Sequence, residues 1–216
     1  MPHATSGFRA IILAAGQSSR MGSDKSRLPW IEGKPLLSWM VETLSAAGWQ
    51  TSAVLGPQSY TSWNSSLPAR CAVLNPDPAR GKTSSLVCGM ETLSPDTKWI
   101  LITAVDQPRL PALYQRLREE AETSRAKIIV PTREGSRGHP VVLSGALRDE
   151  LAALQETSQG LRGLLDAYRS ETDRLPDGDT EDQQWDINTP ANYQDALAFF
   201  QNPSTINPQP STAPSA

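Results

Sequence analysis

The segment IILAAGQSSRMGSDK, residues 11–25, constrains the fold more than any other stretch of the chain. Residues 10–15 form a short apolar run, the pattern of a parallel strand buried on both faces. The run breaks at Gly16 into small polar residues, with Arg20 and Lys25 close behind. A strand feeding a Gly- and Ser-containing turn exposes backbone N–H groups with little side-chain bulk over them. Two nearby cations add charge-assisted donors for phosphate oxygens. That combination suits a triphosphate. From strand, glycine and cations alone, an ordinary strand exit with solvated basic residues fits equally well.

The rest of the chain alternates between strand and helix patterns. Leu36, Leu37, Met40, Val41 and Leu44 recur at helical spacing, with Pro35 at the expected first helical position and Gly48 just past the end. Residues 50–56 and 71–74 read as strands, while residues 60–68 carry no clear pattern. Two prolines and a glycine keep residues 75–81 irregular. Thr83 is then placed to cap a helix bearing Leu86, Met90 and Leu93. Residues 98–105 are the strongest central-strand candidate and deliver Asp106 at their carboxyl end. A helix over 110–121 and a strand over 126–130 follow. This alternation builds a mostly parallel sheet with helices on both faces.

The second half changes character. Residues 135–143 read as a turn entering a strand antiparallel to the others. Helices are expected over 145–155 and 160–169. A short strand is expected to end at Asp186-Ile187-Asn188, and Thr189-Pro190 caps a last helix carrying Tyr193, Leu197 and Phe200. One domain over residues 8–201 is expected, with residues 1–7 and 202–216 as disordered tails, the latter being almost devoid of aliphatic and aromatic side chains.

Composition narrows the function. A chain of 216 residues with net charge −3 is large enough for one core and lacks the basic surplus of a nucleic-acid binder. No apolar run approaches the roughly 18 residues of a membrane span, and residues 1–7 have no signal pattern, so the cytoplasm is the expected location. The two cysteines, Cys71 and Cys88, have no metal-ligand spacing and read as reduced thiols. His3 and His139 are the only histidines, so a metal here would sit on carboxylates, which favours Mg²⁺ or Mn²⁺ over zinc.

Gly81-Lys82-Thr83 looks like the end of a P-loop, but the required first glycine falls on Pro76; nor does a GxGxxG fingerprint follow the first strand. Asp106 is the best metal candidate, because ligands of open α/β sheets bind beyond the carboxyl ends of strands. An aspartate that merely starts the turn Asp106-Gln107-Pro108 is as good a description. Asp186 is a second candidate, with a solvated turn residue as its alternative. His139, between Gly138 and Pro140, is placed at a site edge. Ser84 and Ser85 fall in the first turn of a helix, where hydroxyls can meet a base or a phosphate.

Taken together, LAAGQSSRMGSDK (13–25), Pro-Leu-Leu (35–37), RGKTSSL (80–86), AVDQP (104–108), RGHPVVL (137–143) and DINTPANY (186–193) resemble the MobA-like NTP transferase domain family, and within it the molybdenum-cofactor cytidylyltransferases. The resemblance implies a Rossmann-like three-layer α/β/α sandwich of the nucleotide-diphospho-sugar transferase type, its sheet mostly parallel with one antiparallel strand in the second half. It further implies that Leu13, Ala14, Ala15 and Gly16 hold the nucleotide and that Arg20 and Lys25 meet its phosphates. Asn75 then lies near the base or ribose, with Ser84 and Ser85 selecting the base and His139 nearby. Asp106 binds Mg²⁺ or Mn²⁺ with Asp186 as second carboxylate, and Arg20, Lys25 and Asp106 carry the catalysis. LAAG, rather than LAGG, goes with CTP in this family. Two positions depart from the pattern: Asn188 stands where a second Asp is common, and Arg109 is more polar than expected.

The implied reaction is transfer of CMP from CTP to the phosphate of molybdopterin, or of its metal-loaded form, with release of pyrophosphate. A recipient molybdoenzyme or its chaperone is the implied protein partner, and neither nucleic acid nor membrane is expected. The alternatives are a cytidylyl-, uridylyl- or guanylyltransferase with another phosphorylated acceptor, or a nucleotide-binding chaperone that delivers the cofactor.

Overall fold

The computed structural model describes residues 7–16, 21–133, 136–156, 159–175 and 185–202. In chain order the elements are β1 (Phe8–Ala14), α1 (Leu36–Ala46), β2 (Gln50–Leu55), α2 (Pro57–Asn64), β3 (Ala72–Leu74), α3 (Lys82–Met90), β4 (Trp99–Ala104) and α4 (Pro111–Thr123). They continue with β5 (Ile128–Arg133), β6 (Ser136–Arg137), β7 (Val141–Ser144), α5 (Arg148–Ala152), α6 (Gly160–Ala167), β8 (Thr172–Leu175) and α7 (Pro190–Gln201). The strands form one sheet in the order β3-β2-β1-β4-β7-β5-β6, with β8 paired to β5. β1 runs parallel to β2 and β4, whereas β7 is antiparallel to both β4 and β5. The expected antiparallel strand is therefore β7, inserted into the middle of the sheet.

Period-two alternation along β1 divides the core into two layers. Ala10, Ile12 and Ala14 pack with Leu37 and Met40 of α1, Leu113 and Leu117 of α4, and Phe200 of α7. Ile11 faces the other way, against Leu86 and Met90 of α3, Leu151 of α5 and Leu164 of α6. Helices thus cover both faces, the three-layer α/β/α sandwich. α3 lies close to β1: a Cβ added at Gly89 would stand 2.7 Å from Cγ2 of Ile11.

Several expectations need correction. Pro35 is the N-cap of α1 rather than its first residue, with extended backbone and no side-chain cap. Residues 60–68, which showed no pattern, supply most of α2, whose interior contact is Trp63. Thr83 does not cap α3, because Gly81 is the N-cap and Lys82 the first residue. Asp186 does not end a strand: residues 185–188 are irregular, and the strand that sequence reading does not find is β8, whose TDRL buries only Leu175. Gly7 lies just ahead of β1, its carbonyl accepting from the amides of Lys98 and Trp99. Residues 1–6 and 203–216 lie outside the described residues. Cys71 and Cys88 are both free thiols. No described helix is long and apolar enough to cross a membrane.

Candidate active site at the carboxyl ends of β1 and β4

From β1 the chain winds through α1 to β2 on one side, and from β3 it returns through α3 to β4 on the other. The switch of direction between β1 and β4 opens a crevice beyond their carboxyl ends, where open α/β sheets bind ligands. A cavity of about 220 Å³ lies there, lined by Leu13, Ala15 and Gly16 after β1, Val105 and Asp106 after β4, and Lys25, Gly81, Lys82 and Ser85. Ala14 is buried on the face of β1 that packs against α1, α4 and α7. Arg20 lies outside the described residues.

Lys25 crosses this crevice to Asp106, with Nζ 2.8 Å from Oδ2. Its backbone is fixed by a short 3₁₀ turn over Lys25–Arg27, capped by Asp24. One Asp24 carboxylate oxygen accepts from the amide and hydroxyl of Ser26, at 2.9 and 2.6 Å, and the other accepts from Ser59 of α2 at 2.7 Å. The indole N–H of Trp63 then donates to the Ser26 hydroxyl at 2.8 Å. α2 is therefore the anchor of the lysine turn. Asp24, Ser26, Ser59 and Trp63 escaped sequence reasoning, although Asp24 two residues before Ser26 is a readable capping signal.

Asp186 reaches the site through Arg109. The guanidinium is buried, and it donates to Asp186 Oδ1 at 3.0 Å and to the carbonyls of Pro108 at 2.9 Å, His139 at 3.1 Å and Trp185 at 3.4 Å. Asp186 Oδ2 accepts from the Gln107 side chain at 3.2 Å, and the Ile187 amide donates to the Asp106 carbonyl at 2.8 Å. A single buried cation ties the β4 exit, the His139 turn and the segment before α7 together. That accounts for the polarity of Arg109. It also draws together the segments that carry the two carboxylates, Asp106 and Asp186. Among the described residues no three His, Cys, Asp or Glu converge; the carboxylates that these linked segments carry are Asp106, held by Lys25, and Asp186, held by Arg109. Two carboxylates fit Mg²⁺ or Mn²⁺, which use few protein oxygens and complete their shells with phosphates and water.

Asn75 is buried and donates to the hydroxyls of Ser84 and Ser85, at 3.0 and 2.9 Å. These three residues form one polar cluster, with Ser85 on the cavity wall.

A second cavity, of about 440 Å³, adjoins the first and shares Leu13, Lys82 and Ala104 with it. Its polar lining includes Arg137, which is ion-paired to Asp166, with His139, Arg162, Gln107 and Glu156, and its apolar part includes Leu86, Leu161 and Leu165. Water reaches the His139 ring from this side, yet the protein around it desolvates the imidazole enough to lower its pKa, and the Arg109 cation adds to the effect. Glu156 closes the wall over α3, accepting from the Thr83 amide at 3.0 Å. That hydrogen bonding to Thr83 holds its carboxyl below the ordinary range.

The model of the MobA-like NTP transferase domain matches residues 10–173 of this chain. The chain belongs to that family. The transferase domain is 30% identical to a probable molybdenum cofactor guanylyltransferase of Synechococcus elongatus, over 75% of this chain and 72% of that one. It is 33% identical to a molybdenum cofactor guanylyltransferase of Xanthomonas euvesicatoria, where the match spans 49% of this chain and only half of the relative. Among solved structures, Rv0371c of Mycobacterium tuberculosis superposes with TM-score 0.73 at 24% identity, covering 88% of this chain and 97% of that one, and the same protein has also been solved in complex with manganese. The mixed, mostly parallel sheet with its helices is the nucleotide-diphospho-sugar transferase fold of these nucleotidyltransferase neighbours.

Proposed function

We propose that this chain transfers a nucleoside monophosphate from CTP to the phosphate of a molybdopterin-type acceptor, releasing pyrophosphate, with residues 8–201 acting as one catalytic domain. The observation that carries the proposal is the Lys25–Asp106 pair across the β1/β4 crevice, in a chain of the MobA-like family. The triphosphate lies along Leu13 to Gly16 with Lys25 and Arg20 on its oxygens, and the base faces Asn75, Ser84 and Ser85. The acceptor occupies the second cavity, where Arg137, Arg162 and His139 meet anionic groups and Leu161 and Leu165 meet a ring system.

An oxygen of the acceptor phosphate attacks the α-phosphorus in line. The new P–O bond forms as the bond from the α-phosphorus to the α–β bridging oxygen breaks, and pyrophosphate leaves. The nucleophile is already anionic, so no general base is required. The protein supplies alignment and fixed positive charge. Lys25 serves the α-phosphate and Arg20 the leaving group. Asp106 and Asp186 would hold Mg²⁺ or Mn²⁺, which when bound would neutralise charge on the phosphates. That a mycobacterial protein of this fold has been solved in complex with manganese agrees with the use of a divalent ion.

CTP is favoured by Ala15, since LAAG accompanies CTP among the proteins that this sequence resembles. The relatives named guanylyltransferases favour GTP instead. Pyrophosphate release measured with each of the four NTPs, with and without molybdopterin, decides the matter. Release requiring CTP and the pterin supports the proposal, release requiring GTP and the pterin overturns the nucleotide assignment alone, and nucleotide binding with no release under any condition overturns the transfer.

A further inference from the structure

Lys82 lies in the RGKTSSL string but is given no role by the family resemblance, and its placement is costly for local structure. It is the first residue of α3. The amino end of a helix carries partial positive charge, so a cation there opposes the macrodipole, whereas an acidic residue would be stabilising. The side chain is exposed. Among the described residues it makes neither ion pair nor side-chain hydrogen bond, and the neighbouring Glu156 is engaged with the Thr83 amide instead. Lys25, by contrast, is held to Asp106.

Its position compensates for that cost. Among the described residues, only Leu13, Lys82 and Ala104 line both cavities, and of these three only Lys82 is charged. In the transfer proposed above, on which this inference rests, the α-phosphate and the attacking phosphate meet at the wall shared by the two cavities. Two anionic phosphates approaching each other repel, and a crevice walled by protein screens that repulsion less than bulk water does. A cation at the junction relieves that repulsion most where the two phosphates are closest, which is the transition state.

We propose that Lys82 is a catalytic residue that bridges the two substrates, its ammonium contacting the α-phosphate from the nucleotide side and the attacking phosphate from the acceptor side. Gly81 makes this possible: its left-handed backbone, φ +99°, turns the chain into α3 so that the residue after it stands at the junction.

The test is steady-state kinetics of wild type, Lys82→Met and Lys82→Arg with CTP or GTP and molybdopterin, together with nucleotide affinity by calorimetry and thermal melts. The expected result is a kcat lower by about 100-fold or more in Lys82→Met, the scale of losing one preorganised electrostatic donor. Nucleotide affinity changes only a few-fold, the melting temperature is unchanged or higher, and Lys82→Arg recovers much of the rate. A kcat for Lys82→Met within two-fold of wild type overturns the inference, as does a loss confined to nucleotide affinity. Wild-type protein that transfers to no acceptor overturns the functional proposal, and this role with it; an active wild type with an equally active Lys82→Met overturns the Lys82 role alone.

Discussion

The ammonium of Lys25 and the carboxylate of Asp106 meet at 2.8 Å, although 81 positions separate them in sequence. The lysine side chain is mostly buried and the aspartate about one-quarter exposed. The pair spans the point at which the sheet reverses its winding, and so it joins the loop after β1 to the end of β4. A lysine on a flexible stem can swing from a carboxylate to a phosphate within the same crevice, which is the property a triphosphate site needs.

The lysine turn depends on α2. Asp24→Ala removes three hydrogen bonds to Ser26 and Ser59 together with the cap of the turn. The expected cost is about 1–2 kcal/mol in urea unfolding. Turnover should fall by about ten-fold, since Lys25 keeps its charge but loses its fixed position. Unchanged turnover would mean that Lys25 needs no anchoring by α2.

Arg109→Leu leaves the carbonyls of Pro108, His139 and Trp185 without this donor and Asp186 without its cation. A loss of about 2–4 kcal/mol is expected in thermal or denaturant unfolding. Asp186 is itself part-exposed, so solvent spares the upper end of that range. Arg109→Lys keeps one charge but not the planar fork, and falls between the two. Both variants should need more Mg²⁺ or Mn²⁺ for half-maximal turnover, because Asp186 is no longer oriented.

Sequence periodicity foretold the parallel half well. β1, α1, β2, β4 and α4 carry apolar patterns set by burial against the sheet, and such patterns can be read locally. α2 was missed because its one buried side chain, Trp63, gives no repeat, and β8 because three of its four residues face outward or are part-exposed. Asp106 could be read as a strand-end carboxylate from its position after an apolar run. The link from Asp186 to Arg109, and the place of Lys82 on two cavities, depend on contacts between distant segments that no local pattern encodes.

Gly81 admits no side chain. Its φ of +99° strains any L-residue, and an added Cβ would stand 2.6 Å from the carboxylate carbon of Glu156. Gly81→Ala should destabilise the protein by about 1–2 kcal/mol. Glu156→Ala in the same chain should recover the steric part and leave the backbone part. Melting of both single variants and the double variant separates the two contributions, and full additivity would show that Glu156 does not crowd this position.

Pyrophosphate release by wild type, Asp106→Asn and Lys25→Ala, with CTP or GTP and molybdopterin, tests the central claim most directly. Release by wild type that needs both nucleotide and acceptor is predicted, falling by about 100- to 1,000-fold in each variant while thermal melts show folded protein. Near-wild-type release by either folded variant would contradict the assignment of the Lys25–Asp106 crevice as the site of transfer.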